Sequence, residues 1–231
     1  TGRRNLIING AMQVAQRGTS TASVTSNGYY ASDRMNWTNG TLGTWTISQS
    51  TTTPDGFSNS YKALCTTADA SPAAGDYAAL EYSIEGQDLQ HLQKGSSGAK
   101  KVTLSFWTRS NKTGTYVVEL KDHDNNRHIA STYTISSADT WEHKTLTFAG
   151  DTTGGFDNDT SKSLSLYWYL GAGTTFTSGT LATSWASVTN ANRAAGLSVN
   201  LGDAVNNEWY ITGIQLEVGE QATPFEHRSF G

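Results

Sequence analysis

Apolar and polar residues alternate along much of this chain. Val102, Leu104 and Phe106 fall on one side of a run whose other side carries Thr103, Ser105 and Trp107. Tyr116, Val118 and Leu120 repeat the pattern, as do Leu164, Leu166, Trp168 and Leu170. Trp45-Thr46-Ile47-Ser48 and Thr145-Leu146-Thr147-Phe148, the latter following Trp141, are shorter instances. A period of two marks a strand with one buried face. Asn5-Leu6-Ile7-Ile8-Asn9-Gly10 reads as a short opening strand closed by a turn dipeptide. Helical spacing is confined to 88–94, with Leu89 and Leu92 inward and Gly95 as a stop, and to a short turn in 189–195. Polar stretches at 18–28, 50–60, 69–75, 121–127, 150–162 and 171–179 read as loops.

The last strand, Glu208-Trp209-Tyr210-Ile211-Thr212-Gly213-Ile214-Gln215-Leu216-Glu217-Val218, changes parity midway. Trp209 and Ile211 share one phase, and Ile214, Leu216 and Val218 share the other. An extra residue at Thr212-Gly213 reconciles them: a β-bulge there turns all five toward one core. Many strands, few helices, no Pro-rich divider and no internal repeat predict one all-β domain over 1–231. Its expected architecture is an antiparallel β-sandwich, with an N-terminal strand and loop in 1–28 and an extended C-terminal tail in 219–231.

Composition agrees. Charged residues make up 16% of the chain, while seven Trp, ten Tyr and seven Phe supply a core. The net charge of −4 and the absence of a basic stripe argue against a nucleic-acid partner. No apolar run approaches the roughly 18 residues of a membrane helix, so no membrane insertion is expected. Neither a signal peptide nor an initiating Met opens the chain, which reads as a fragment or a processed form. Cys65 is the only cysteine, so no internal disulfide can form. The sequons at Asn36, Asn39, Asn111 and Asn158 carry no weight in a Thr-rich chain without a secretion signal.

Four strings in order, NLIINGAM, KVTLSFWTRS, WEHKTLTFAG and WYITGIQLEVG, resemble the jelly-roll carbohydrate-binding modules attached to xylanases and cellulases. That resemblance implies a jelly-roll sandwich and a glycan partner. A second set, NLIINGAMQVAQRGTS, YYASDRMNW and ITGIQLEVGEQATPFEHRSFG, resembles tail-fibre and related structural proteins of bacteriophages. It implies a virion location, a homotrimer, contact with other virion proteins, and adhesion to host-surface polysaccharide. Carbohydrate modules of this kind often hold calcium with acidic residues near the first strand and in the last. Here those places read Ala11-Met12-Gln13 and Thr212-Gly213, so no cofactor is expected. Asp122, Asp124 and Asn126 are spaced like the start of a calcium loop, but the glycine and distal glutamate of that motif are absent. They read as a polar hairpin turn, and no metal is expected there.

Sugar recognition takes aromatic faces and planar polar side chains. Strand parity points Trp107, Arg109, Glu119, Lys121, Tyr167 and Tyr169 away from the core, and these six are the predicted carbohydrate-binding face. The competing expectation is that loops or neighbouring subunits cover that face. Asp33 and Arg34, between Tyr29-Tyr30 and Trp37, are expected to form a structural ion pair with aromatics stacked on the guanidinium. Glu226, His227 and Arg228 are expected to be solvated or to pair with a neighbouring subunit. Catalysis is not expected. The five histidines form no metal-ligand pattern, and the nucleophile-elbow and phosphate-loop motifs are missing. The candidate carboxylates Asp122, Asp157 and Asp159 lie in turns, leaving Glu119 and Glu217 on strands. The reading is therefore a non-enzymatic virion module that binds glycans. A purely structural virion component and a polysaccharide depolymerase are the alternatives.

Overall fold

The computed structural model describes residues 4–227. Its strands are β1 (Ser20–Val24), β2 (Met35–Gly40), β3 (Thr44–Ser50), β4 (Ser60–Thr67), β5 (Tyr77–Glu85), β6 (Val102–Ser110), β7 (Gly114–Asp122), β8 (Arg127–Ile135), β9 (Glu142–Phe148), β10 (Lys162–Ala172), β11 (Ala186–Ser187) and β12 (Glu208–Val218). A single helical turn, α1 (Thr174–Thr177), follows β10. Sheet one runs β1-β3-β4-β12-β6-β9, and sheet two runs β11-β8-β7-β10-β5-β2. All named strand pairs are antiparallel.

The strand order is that of a jelly roll. Among β4 to β10 and β12, the outermost pair in sequence is β4 with β12, followed by β5 with β10, β6 with β9, and β7 with β8. Four nested antiparallel pairs, dealt alternately to the two sheets, make the wound double-sheet topology. β1 and β3 extend sheet one beyond β4, while β2 and β11 form the edges of sheet two.

The interior between the sheets is aromatic. Trp37, Trp45, Trp168, Trp209, Phe106 and Phe148 are all buried there. Phe106 of sheet one meets Trp168 of sheet two edge-on at 5.9 Å, and Tyr133 at 5.2 Å. These edge-to-face pairs add to the burial that holds the layers together. The inward sets read from β6, β7 and β10 all lie in this core.

The bulge sits where the parity shift of the last strand puts it. The pairing of β12 with β6 slips between Thr212 and Gln215, and Gly213 has φ 62°. A side chain at 213 would meet both that left-handed backbone and the Phe57 ring, 2.7 Å from the ideal Cβ position. Trp209, Ile211, Ile214 and Leu216 are all fully buried as a result. Val218 is a correction: it is 43% exposed, because β12 leaves the sandwich there.

The opening segment also departs from expectation. Residues 5–10 form no regular strand. β4 pairs with β12 only as far as Ile211, which leaves the next stretch of that edge free. The opening segment fills it with isolated bonds, Leu6 N–H to Leu216 C=O and Ile214 N–H to Gly10 C=O. The Asn5 side chain completes the edge: its Nδ2 donates to Ile214 C=O, and its Oδ1 accepts from the Ile7 and Leu216 amides. Gly10 crosses so close that a Cβ would lie 2.1 Å from the Ile214 oxygen. The stretch 18–28, expected as loop, contains β1.

The tail folds back on its own last strand, as far as it is described. Thr223 donates from its amide and its hydroxyl to Glu217, and the Glu226 amide donates to Gln215 Oε1. Phe225 and His227 pack on Phe57 at 5.1 and 5.2 Å. Glu226 accepts from the Asn5 amide, so Glu226 and His227 are engaged within the chain. Arg228 lies outside the described residues. The 88–94 stretch forms two 3-10 turns, Gly86–Asp88 and Gln90–Leu92, with Leu89 and Leu92 buried. The turn expected in 189–195 is the 3-10 turn Asn190–Asn192.

Candidate ligand-binding face

The six residues predicted as one face belong to two. Trp107 and Arg109 lie on β6 in sheet one, while Glu119, Lys121, Tyr167 and Tyr169 lie on β7 and β10 in sheet two. Parity fixes which way a side chain points, not which sheet carries the strand, so the outward residues were split between opposite surfaces. On sheet one, the Trp107 ring packs tilted against His143 at 5.1 Å, beside the bulge. Arg109 is held by Asp139 at 2.8 Å and Glu208 at 3.3 Å, and lies over the Tyr210 ring.

On sheet two, register brings the remaining four together. Tyr167 stands opposite Glu81 of β5 on one side and Glu119 of β7 on the other. One step along, Ser165 stands opposite Ser83 and Lys121. Asn36 of β2 extends the first row beyond Glu81. These rows are the transverse neighbours of a pleated face.

Half of this face is roofed. The segment 173–199 returns across it, with α1 and β11 on the way. Phe176, Leu181, Ala194 and Leu197 cover Val117, Ala130 and Tyr169. The segment is tied down by Ala130 N–H to Ala182 C=O, Ser198 N–H to Thr115 C=O and the pairing of β11 with β8. Its Arg193 lies over the Tyr167 and Tyr169 rings at 5.3 and 5.9 Å, and binds Glu119 through Nε at 3.0 Å to both oxygens. Glu119 also accepts from His128 Nδ1 at 2.8 Å and from the Tyr169 hydroxyl at 3.1 Å. Burial alone would raise the Glu119 carboxyl; the His128 bond and the Arg193 charge outweigh it and keep the group ionised. Glu119 is fully buried and Tyr169 nearly so, which removes both from the accessible surface. Loop cover is thus realised over this half.

The other half is open. A cavity of 240 Å³ lies over Asn36, Glu81, Ser83 and Lys162, bounded by Tyr29, Arg34 and Thr160. Glu81 forms its floor. Its carboxylate accepts from Asn36 Nδ2 at 2.8 Å, the Tyr167 hydroxyl at 2.8 Å, Ser165 Oγ at 2.9 Å, Lys162 Nζ at 3.0 Å and Ser83 Oγ at 3.2 Å. Burial again opposes the charge, but Lys162 and Asn36, with Tyr167, bring the carboxyl down to about 2. His123 approaches Ser165 Oγ at 3.0 Å. Burial and the nearby Lys162 and Lys121 lower the His123 imidazole to about 4, so it is neutral at pH 7. Tyr29 is 45% exposed at the rim, with Arg17 over its ring at 5.5 Å.

Asp33 and Arg34 do not pair with each other among the described residues. Arg34 takes a left-handed backbone, φ 71°, which turns it toward Glu85 at 4.0 Å. Asp33 instead accepts from the Gln16 amide, and the cation over Tyr29 is Arg17. No group of three or more His, Cys, Asp or Glu that could hold a metal occurs among the described residues. Asp122, from the expected polar turn, accepts the Asp124 and Asn125 amides as such a turn requires. Its other oxygen binds the Lys94 ammonium at 2.6 Å; Lys94 also reaches Asp151 at 3.1 Å and the Gly154 carbonyl at 2.7 Å.

Sequence reasoning missed Glu81, Asn36, Ser83, Lys162, His123 and Arg193. For Glu81 and Ser83 a signal exists: Leu80, Tyr82 and Ile84 alternate with them in β5. Arg193 has none, since its place depends on how the long 173–199 crossing returns.

No family model matches the chain, and no curated protein matches it. Solved structures do resemble it at low identity. The enzymatically active domain of tailspike protein 4 from bacteriophage CBA120 is 13% identical with a TM-score of 0.46, covering 93% of this chain and 21% of that one. The family 11 carbohydrate-binding module of the cellulase Lic26A-Cel5E from Clostridium thermocellum is 11% identical with a TM-score of 0.43, covering 87% and 99%. The xylan-binding domain of carbohydrate-binding module family 22 is 12% identical with a TM-score of 0.42, covering 88% and 99%. This chain thus spans about a fifth of the tailspike domain's length. The jelly-roll assignment rests on the strand order itself.

Proposed function

We propose that this chain is a non-catalytic glycan-binding module whose site is the open half of the outer face of sheet two, from Tyr29 to Tyr167. The observation that carries this reading is the Glu81 node. One buried carboxylate, bonded five times over, holds the side chains of Asn36, Ser83, Ser165, Tyr167 and Lys162 in place. Such a floor is set before any ligand arrives, so little ordering entropy is lost on binding. The Ser83 hydroxyl and the Asn36 amide, which line the cavity, match sugar hydroxyls, and the Tyr29 ring at the rim matches an apolar sugar face.

The same geometry speaks against Glu81 and Glu119 as a hydrolytic pair. Glycosidases need one carboxyl kept protonated as an acid. Glu81 and Glu119 are both held ionised, and Glu119 is sealed from solvent. A place on a phage tail or head fibre, with weak sites multiplied on a trimer, is proposed from the resemblance of residues 5–20, 29–37 and 211–231 to virion proteins.

A glycan array followed by titration calorimetry tests the site. Tyr29→Ala and Asn36→Ala are expected to weaken binding about tenfold or more, equivalent to roughly 1.4 kcal/mol. Trp107→Ala, on the opposite sheet, is expected to change affinity less than about twofold, as a distant and independent site should. A blank array with a folded protein overturns the proposal. So does loss of binding on Trp107→Ala with none on Tyr29→Ala.

A further inference from the structure

The charge on the open half of sheet two does not balance. Glu119 is neutralised by Arg193, and Glu81 by Lys162. Arg34 at the rim faces Glu85. That leaves Lys121. It is half-buried on β7, next to the Glu81 and Glu119 rows and opposite Ser165. Among the described residues its ammonium makes no hydrogen bond and no ion pair. The other titratable neighbour, His123, adds no compensating negative charge, since its imidazole can only be neutral or positive.

A half-buried cation without a counter-ion is costly, and a protein gains stability by placing a carboxylate beside it. None is supplied. The nearest carboxylates, Glu81 and Glu119, are already saturated by other donors. Burial, with the positive charges of Arg193 and Lys162, lowers the Lys121 ammonium from its ordinary value, and the two glutamates only partly oppose this. Ser165, opposite Lys121, is itself bonded to Glu81 and His123.

We infer that the open half of sheet two selects an acidic sugar, with the sugar carboxylate seated on Lys121 between the Arg193 and Lys162 cations. This inference rests on the glycan-binding reading of the same face and narrows it to a substrate class. The anion would supply the counter-charge that the fold omits, and the Asn36, Ser83 and Tyr29 side chains would take the neutral part of the ring.

The test is titration of the whole chain with carboxylated polysaccharides (polygalacturonate, alginate, hyaluronan and polysialate) beside their carboxyl-reduced counterparts. At least one acidic polymer is expected to bind about tenfold or more tighter than its reduced form, and to weaken as salt rises. Lys121→Gln is expected to lose about 10–100-fold of that affinity, the scale of a hydrogen bond to a charged group. Lys121→Arg is expected to keep most of it. A thermal melt reports folding, and the neutral polymers report the state of the Asn36 and Tyr29 subsite. Equal binding of acidic and reduced polymers, unchanged in Lys121→Gln, overturns the acidic-sugar inference and leaves glycan binding standing. No binding of any polymer by the folded protein overturns both.

Discussion

Glu81 and Glu119 occupy equivalent positions on either side of Tyr167. Both are nearly or fully buried, both accept from a tyrosine hydroxyl and a cation, and both are held ionised. They differ in what lies above. Over Glu119, residues 173–199 bring Arg193, Phe176 and Leu197 down on the sheet, and the node becomes part of a second core. Over Glu81 no segment returns among the described residues, and the same chemistry becomes the floor of a cavity. One pleated face is thus packed core at one end and the floor of an open cavity at the other. The loop, rather than the strands, decides which.

The largest expected effect is at the roofed end. Glu119→Gln leaves Arg193 buried without its counter-charge, and breaking a buried pair from one side costs about 3–5 kcal/mol. Urea unfolding measures it. A loss below about 1 kcal/mol, the range of an exposed pair, would mean that apolar contacts alone hold the roof.

The open end is predicted to respond to pH in two windows that overlap only between about 4 and 4.5. The His123 imidazole titrates near 6.5 when unfolded and near about 4 in the fold. The unfolded chain therefore binds more protons between these values, and stability falls as pH drops through that range. Glu81 moves from 4.5 to about 2, so its contribution is complete above 4.5 and is lost as pH falls toward 2. Each proton contributes a slope of up to about 1.4 kcal/mol per pH unit. His123→Gln is expected to flatten the stability profile between pH 6.5 and 4 and to leave the profile below pH 4 unchanged. A wild-type profile already flat in the upper window refutes the assignment.

The strands were legible because burial on one side imprints a period of two, and β6, β7 and β10 carry it cleanly. The bulge was legible for the same reason, since a parity change in a strand that must stay buried has few remedies and Gly213 supplies one. The opening segment was not, because Asn5 completes the edge of β12 with a side-chain amide that no backbone pattern records. The candidate face was legible in part. Parity found Lys121, Tyr167, Glu119 and Tyr169, but merged them with Trp107 and Arg109 from the other sheet. Sheet membership follows from the nested winding of the whole chain, a non-local property. The roof over Glu119 is equally non-local, because 173–199 has neither period nor motif and its docking depends on where β8 and β10 already stand.

The smallest expected effect lies at the cation of the open node. Lys162 Nζ is 3.0 Å from Glu81, the same distance as Arg193 from Glu119, yet its side chain is 45% exposed against 14% for Arg193. Water screens the first pair and not the second. Glu81 also keeps four other donors when Lys162 is removed. Lys162→Met is therefore expected to cost under about 1 kcal/mol, as exposed pairs do. Arg193→Met should cost several times more, because a buried carboxylate is left without its cation. Both follow from unfolding curves collected in one buffer, repeated at high salt, where only the Lys162 contribution should shrink further. If the two substitutions cost the same, exposure does not separate the nodes, and the difference between floor and core must come from shape alone.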